Sequence, residues 1–150
     1  DLGQRRYQGP DKARLIVQRG RLNTLDDIRD AVLRPLFRDA RLHFALSLAA
    51  VGDPDIGPLA LSSVDLDAQL TDAARRCVNH PRGAAARDDG SIAVSALFFR
   101  HRDDFGGDED DLRAWLARYA VGPLAARLAA GAPLVRASWD GRINLLSPSR

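Results

Sequence analysis

Between Ser62-Ser63 and Pro81 the apolar residues Leu66, Leu70, Ala73, Ala74, Cys77 and Val78 recur at helical spacing. Asp65–Asn79 must therefore be an amphipathic helix, and such a helix needs a core to lie on. The chain can supply one, since 150 residues with 45% apolar content fall in the size range of a single domain. A domain of that length buries roughly 68–70% of its unfolded surface without help from crosslinks. The single cysteine, Cys77, excludes an internal disulfide framework and any four-cysteine zinc site. The apolar stretch Leu42–Val51 contains His43 and Ser47 and falls well short of the ~20 residues that cross a bilayer. A membrane-spanning chain is excluded on that ground, while peripheral association stays open.

The formal net charge is +2 and the pI about 9.2. Of the 22 basic residues every one but Lys12 is Arg, as a GC-rich bacterial genome would leave them. They are scattered among Asp and Glu, and the densest groups are only Arg5-Arg6, Arg75-Arg76 and Arg100-His101-Arg102. A nucleic-acid partner would need those charges gathered on one face, so none is expected. The chain has no Met and begins at Asp1. The expectation is that a leader was removed or that an N-terminal segment precedes it, which leaves export to a periplasm open and the compartment undetermined.

Residues 1–12 are polar and carry Gly3, Gly9 and Pro10, which predicts a flexible arm. A single domain is expected over 13–150. Leu15-Ile16-Val17, ended by Gly20, predicts a strand within Ala13–Arg19. Thr24 ahead of Leu25-Asp26-Asp27-Ile28 marks a helix start, because its hydroxyl can accept from free backbone donors and the acids suit the positive end of the helix dipole. Pro35 is expected to stop that helix at Leu33 or Arg34. Leu42–Val51 is core, either strand or helix, and 52–58 is dense in turn residues. Asp88-Asp89-Gly90 between Gly83–Arg87 and Ser91–Ser95 predicts a hairpin, because Gly takes positive φ cheaply. Ala96–Asp104 reads as a short helix burying Leu97 and Phe98, with Phe105 anchoring the turn at Gly106-Gly107. Asp108–Tyr119 and Leu124–Ala130 read as two further helices. Asp140-Gly141 suggests a second hairpin between Leu134–Trp139 and Arg142–Leu146. The fold class is α+β, with four to five helices and small antiparallel hairpins.

The stock of catalytic groups is thin. Cys77 sits at an apolar helical position, where burial suppresses thiol ionisation. His43 lies inside an apolar run and is the one candidate for a buried base, with Asp53 or Asp55 as its acid. His80 stands at a helix end, where it complements the dipole, and His101 is expected to be exposed between two Arg residues. The three His positions do not share a helix face, so no metal or cofactor is expected. The acids at 53–55 read as turn chemistry and those at 108–111 as a helix start. Phosphate loops and a Gly-x-Ser-x-Gly elbow are absent.

The strings Asn23-Thr24-Leu25-Asp26-Asp27-Ile28, Val32-Leu33-Arg34 and Asp39-Ala40-Arg41-Leu42-His43-Phe44-Ala45-Leu46 resemble the domain of unknown function 547 family. That family reads Leu-Thr-Leu-Asp-Asp-Ile-Glu, Ile-Leu-Arg and Asp-Pro-Arg-Ile-His-Phe-Ala-Leu in the same order and spacing. Leu66-Asp67-Ala68-Gln69-Leu70, Asn79-His80-Pro81-Arg82, Asp103-Asp104-Phe105-Gly106 and Trp139-Asp140 with Ile143-Asn144 resemble further family strings, so the likeness runs from about Leu15 to Leu146. Where the family has Asn-Cys and then Ser-Cys-Pro-Pro-Leu, this chain has Ser47-Leu48 and then Gly52-Asp53-Pro54-Asp55. Both family cysteines are absent. The family's Trp-rich N-terminal helix and Asn-Leu-Tyr-Asn-Ala string, which should precede Ala13, are absent as well.

If the family works through a thiolate partnered by the His, the resemblance implies a pseudoenzyme here, because no nucleophile remains at that place. The expected function is then a non-catalytic interaction or structural subunit of a larger assembly, with a protein partner and no cofactor. The 1–11 arm and the 52–58 loop are its candidate contacts. The alternative is a hydrolase-like or thiol-family-derived enzyme using His43 with a nearby acid.

Overall fold

The computed structural model describes residues 16–18, 21–46, 50–55, 57 and 60–142, with the backbone alone at 16–18, 21–23, 25 and 26. The expected arm at 1–11, the C-terminal half of the second hairpin and the Ile143-Asn144 string lie outside them. The chain divides into two units, Asp1–Asp39 and Ala40–Arg150.

In the first unit the expected strand is β1 (Ile16–Gln18), and the chain turns at once into β2 (Arg21–Asn23), pairing Ile16 with Asn23 and Gln18 with Arg21 antiparallel. The second strand was not expected, because Arg21-Leu22-Asn23 is too short to show a period. Thr24 caps the following helix as foreseen. Its hydroxyl accepts from the Asp27 N–H at 2.9 Å, and the Asp27 carboxylate accepts from the Thr24 N–H at 2.9 Å. Two orphan donors are thus satisfied reciprocally.

The predicted stop before Pro35 does not occur. α1 (Leu25–Ile28) runs into a π-helical turn (Arg29–Leu33) and on into α2 (Arg34–Phe37), whose first turn contains Pro35. The first turn of a helix needs no N–H from its residues, so proline is tolerated there. The Arg34 N–H reaches back to the Arg29 carbonyl, the widened pitch that shifts the ladder past the ring. Asp30 receives both Arg29 and Arg34, and these hydrogen bonds hold its carboxyl down to about 2. Arg38, at φ 49°, ends α2.

The second unit is built on the helix that the sequence marked most strongly. α4 (Leu66–Asn79) buries Leu70, Ala73, Ala74, Cys77 and Val78. The ambiguous 42–51 run opens as a single turn, α3 (Leu42–Ala45), all of whose first three residues are buried. Arg41 ties α3 to α4 through the Asp67 carboxylate at 2.8 Å and the Thr71 hydroxyl at 2.7 Å.

β3 (Ala84–Ala86) and β4 (Ile92–Val94) form the predicted hairpin, with Gly90 at φ 88° in its turn. Ile92 and Val94 are both fully buried on one face of the sheet. β5 (Leu134–Arg136), the described half of the second expected hairpin, pairs parallel with β4, matching Ile92 to Leu134 and Val94 to Arg136. Asp-Gly is a local signal and carries no information about a partner presented by a distant strand. The Asp140 and Arg142 carbonyls accept from the Gly52 and Val51 N–H groups instead.

The crossover from β4 to β5 holds the helical part of the core. α5 (Ala96–Arg100) is capped by the Ser95 hydroxyl and leads into a 3-10 turn (Arg102–Phe105). α6 (Glu109–Ala117) starts with the Asp108 carboxylate accepting from the Asp111 N–H at 2.8 Å, and α7 (Gly122–Ala129) follows. Phe44, Phe98, Phe105 and Trp115 form one aromatic cluster, with ring centroids 4.9 to 6.2 Å apart. Such pairs add about 0.5–1.5 kcal/mol each beyond the area they bury. The fold class is α+β, as read from the sequence. No helix among the described residues is long and apolar enough to cross a membrane.

Candidate functional site

His43 is placed by the short turn α3, between Leu42 and Phe44, and only 3% of its side chain reaches solvent. Burying an imidazole without a partner is costly, and the 3-10 turn after α5 supplies one. Nε2 of His43 lies 2.6 Å from Oδ2 of Asp104, whose side chain is 27% exposed. A second imidazole covers the first: the rings of His43 and His101 stack at 4.1 Å with 21° between their planes. Phe105 closes another side at 5.8 Å. The donor atoms of His43, His101 and Asp104 all lie within 4.8 Å of one another.

His101 is half-buried in this arrangement, a correction to its expected exposure. Its flanking Arg residues suggested solvent, but α5 ends at Arg100 and the change of direction turns the ring inward. Equally, the absence of a shared helix face among the His residues excluded only local pairs. Tertiary packing of α3 against the α5 turn brings together residues that are far apart in the chain. Asp104 belongs to the string Asp103-Asp104-Phe105-Gly106, whose sequence carries no sign that it meets His43.

The acids considered as partners of His43 do other work. Asp53 is buried and accepts from the Trp139 indole N–H at 3.2 Å and from the Ala50 N–H at 3.4 Å. Asp55 receives the Arg82 guanidinium at 2.8 Å on both oxygens, while Arg82 also donates to the Val51 carbonyl at 2.7 Å. The 52–55 loop is thus pinned to the residues after α4. The acids at 108–111 serve the start of α6, as expected, and Glu109 pairs with Arg113 at 2.9 Å.

Cys77 and His80 line a shallow cleft together with Asp53, Asp55, Arg82 and Ser95. Burial pushes the Cys77 thiol up to about 12, outweighing the Arg82 charge that acts in the opposite sense. The thiol is therefore protonated at any physiological pH and is not a nucleophile as it stands. His80 follows the last residue of α4, at the helix end where it was expected, and accepts the Arg82 N–H at Nδ1, 3.1 Å away.

The second unit is thus an α+β unit in which a buried histidine is paired with a partly exposed carboxylate. No protein-family model, curated protein or solved structure matches the chain.

Proposed function

We propose that the chain is a non-catalytic interaction or structural subunit of a larger protein assembly, resembling the domain of unknown function 547 family but lacking its cysteines. The observation that carries this reading is the state of the groups an enzyme would need. A general base must bring a ring nitrogen within hydrogen-bond reach of the proton it takes. In His43 it is Nε2 that meets Asp104, on a ring almost wholly out of solvent. The chain's one thiol is buried with its proton held until about pH 12.

The partner is a protein and not a nucleic acid. Many of the Arg residues are matched to acids, as in Arg41–Asp67, Arg76–Asp72, Arg82–Asp55 and Arg113–Glu109, so their charge is spent within the unit instead of massed on one face. Apolar side chains that stay exposed, notably Val64 at 89% and Val121 at 61%, are suited to a protein contact.

The His43–Asp104 pair itself favours a second reading, a hydrolase-like enzyme in which Asp104 orients His43. One comparison separates the two. The native mass of the purified chain is measured by light scattering, and its turnover of activated esters and amides is measured with His43→Gln as control. Self-association or a stoichiometric protein companion, without turnover, supports the subunit. A stable 16.3 kDa monomer whose turnover disappears in His43→Gln would make it an enzyme.

A further inference from the structure

We propose that His43, His101 and Asp104 form a binding site for one divalent transition-metal ion, zinc foremost. Two imidazoles and one carboxylate are a donor set that zinc takes in open sites, with water completing the tetrahedron. All three donor atoms lie within 4.8 Å of one another, contributed by α3 and by the turn that follows α5.

An ion would draw the three groups into tetrahedral spacing. Two imidazoles bound at about 2.1 Å to one tetrahedral ion point their ring edges at it and hold their centroids roughly 5.3 Å apart. The rings of His43 and His101 stack face to face at 4.1 Å, so binding turns the partly exposed His101 ring edge-on to the ion. Ligands of such an ion lie about 3.3 Å from one another, and His43 Nε2 to Asp104 Oδ2 is 2.6 Å. Binding therefore asks the Asp104 carboxylate to withdraw by roughly 1 Å or less, and it can, because it is partly exposed and lies on a short 3-10 turn. The ion takes the place of the proton between Nε2 and Oδ2, which leaves to solvent.

The site is also built for selectivity over a chance surface cluster. His43 is locked by burial, and its ring is packed by Phe105, so one ligand is preorganised. His101 and Asp104 reach solvent and give the ion its way in. This site does not depend on whether the chain is catalytic, since an ion held here can serve structure alone.

The test is calorimetric titration of the chelator-treated full chain with zinc chloride alone, together with thermal unfolding. Expected are one ion per chain with a dissociation constant of about a micromolar or lower, and a Tm higher on the order of 10 °C when free zinc is roughly a hundredfold above that constant. His101→Gln and Asp104→Asn, both partly exposed positions, should each weaken binding by about tenfold or more, while His80→Gln leaves it unchanged. Absence of stoichiometric binding, or binding undiminished in both variants, overturns the assignment. A failed titration leaves the subunit reading standing, because that reading is decided by native mass and turnover.

Discussion

The buried thiol makes a quantitative prediction about alkaline stability. Cys77 lies against Ala73, Ala74 and the close approach of Gly83, and burial raises its pKa from the usual 9.0 to about 12. A group whose pKa is raised on folding binds its proton more tightly in the native state. Its contribution is then complete below pH 9 and is lost as pH rises towards 12. Each tenfold in proton affinity is worth about 1.36 kcal/mol, so the whole difference is on the order of 4 kcal/mol. At pH 10 the unfolded thiol is mostly ionised and the native one is not, which removes on the order of 1 kcal/mol. Comparison with a variant that lacks the thiol isolates its contribution, so the measurement is a difference of differences. Urea unfolding is followed by tryptophan fluorescence at pH 7 and pH 10, under reducing conditions, for the natural chain and Cys77→Ala. The natural chain should lose on the order of 1 kcal/mol more than the variant over that interval. Equal losses in the two proteins, or rapid alkylation of the native thiol by iodoacetamide at pH 8, would refute the reasoning and return Cys77 to the list of reactive groups.

Phe98 is fully buried and contacts Phe44, Phe105 and Trp115, so Phe98→Ala should cost about 3–5 kcal/mol in urea unfolding, against about 1 kcal/mol or less for the partly exposed Phe99. A Cβ on Gly83 would fall 1.8 Å from the Cys77 carbonyl oxygen, a backbone atom with no freedom to move aside. Gly83→Ala should therefore destabilise by roughly 1–3 kcal/mol and speed thiol alkylation, and a neutral effect in both assays would argue against that close approach. Asp108→Ala removes the side-chain cap of α6 and should cost about 1 kcal/mol, visible as a lower urea midpoint with an unchanged slope.

What the sequence showed and what it hid divide along the range of the interactions. α4, the β3–β4 hairpin, the caps at Thr24 and Asp108 and the anchoring Phe105 all rest on residues within a few positions of one another, and those were legible. β5 was readable as a strand but not as the parallel neighbour of β4, because nothing near Leu134 encodes which edge it meets. Pro35 misled for a similar reason: its rule concerns a regular helix, and the π-helical turn that accommodates it has no composition of its own. In the candidate site, His43 was found because an imidazole inside an apolar run is conspicuous. Asp104 and His101 were not placed beside it, because their role depends on packing between α3 and the turn after α5. Asp53 and Asp55 were favoured for closeness along the chain, and the structure gives them to Trp139 and Arg82 instead.

The parallel pairing of β4 with β5 also bears on how the unit assembles. β3 and β4 can zip together as soon as both have left the ribosome, but β5 arrives only after the whole 95–133 crossover has been made. Closing so long a loop slows the step, and until then Ile92-Ala93-Val94 shows one unpaired edge. A short, wholly apolar strand with a bare edge is a template for strands of other chains. In the finished unit β5 acts as an edge guard, and a chain cut within the crossover is the species expected to aggregate.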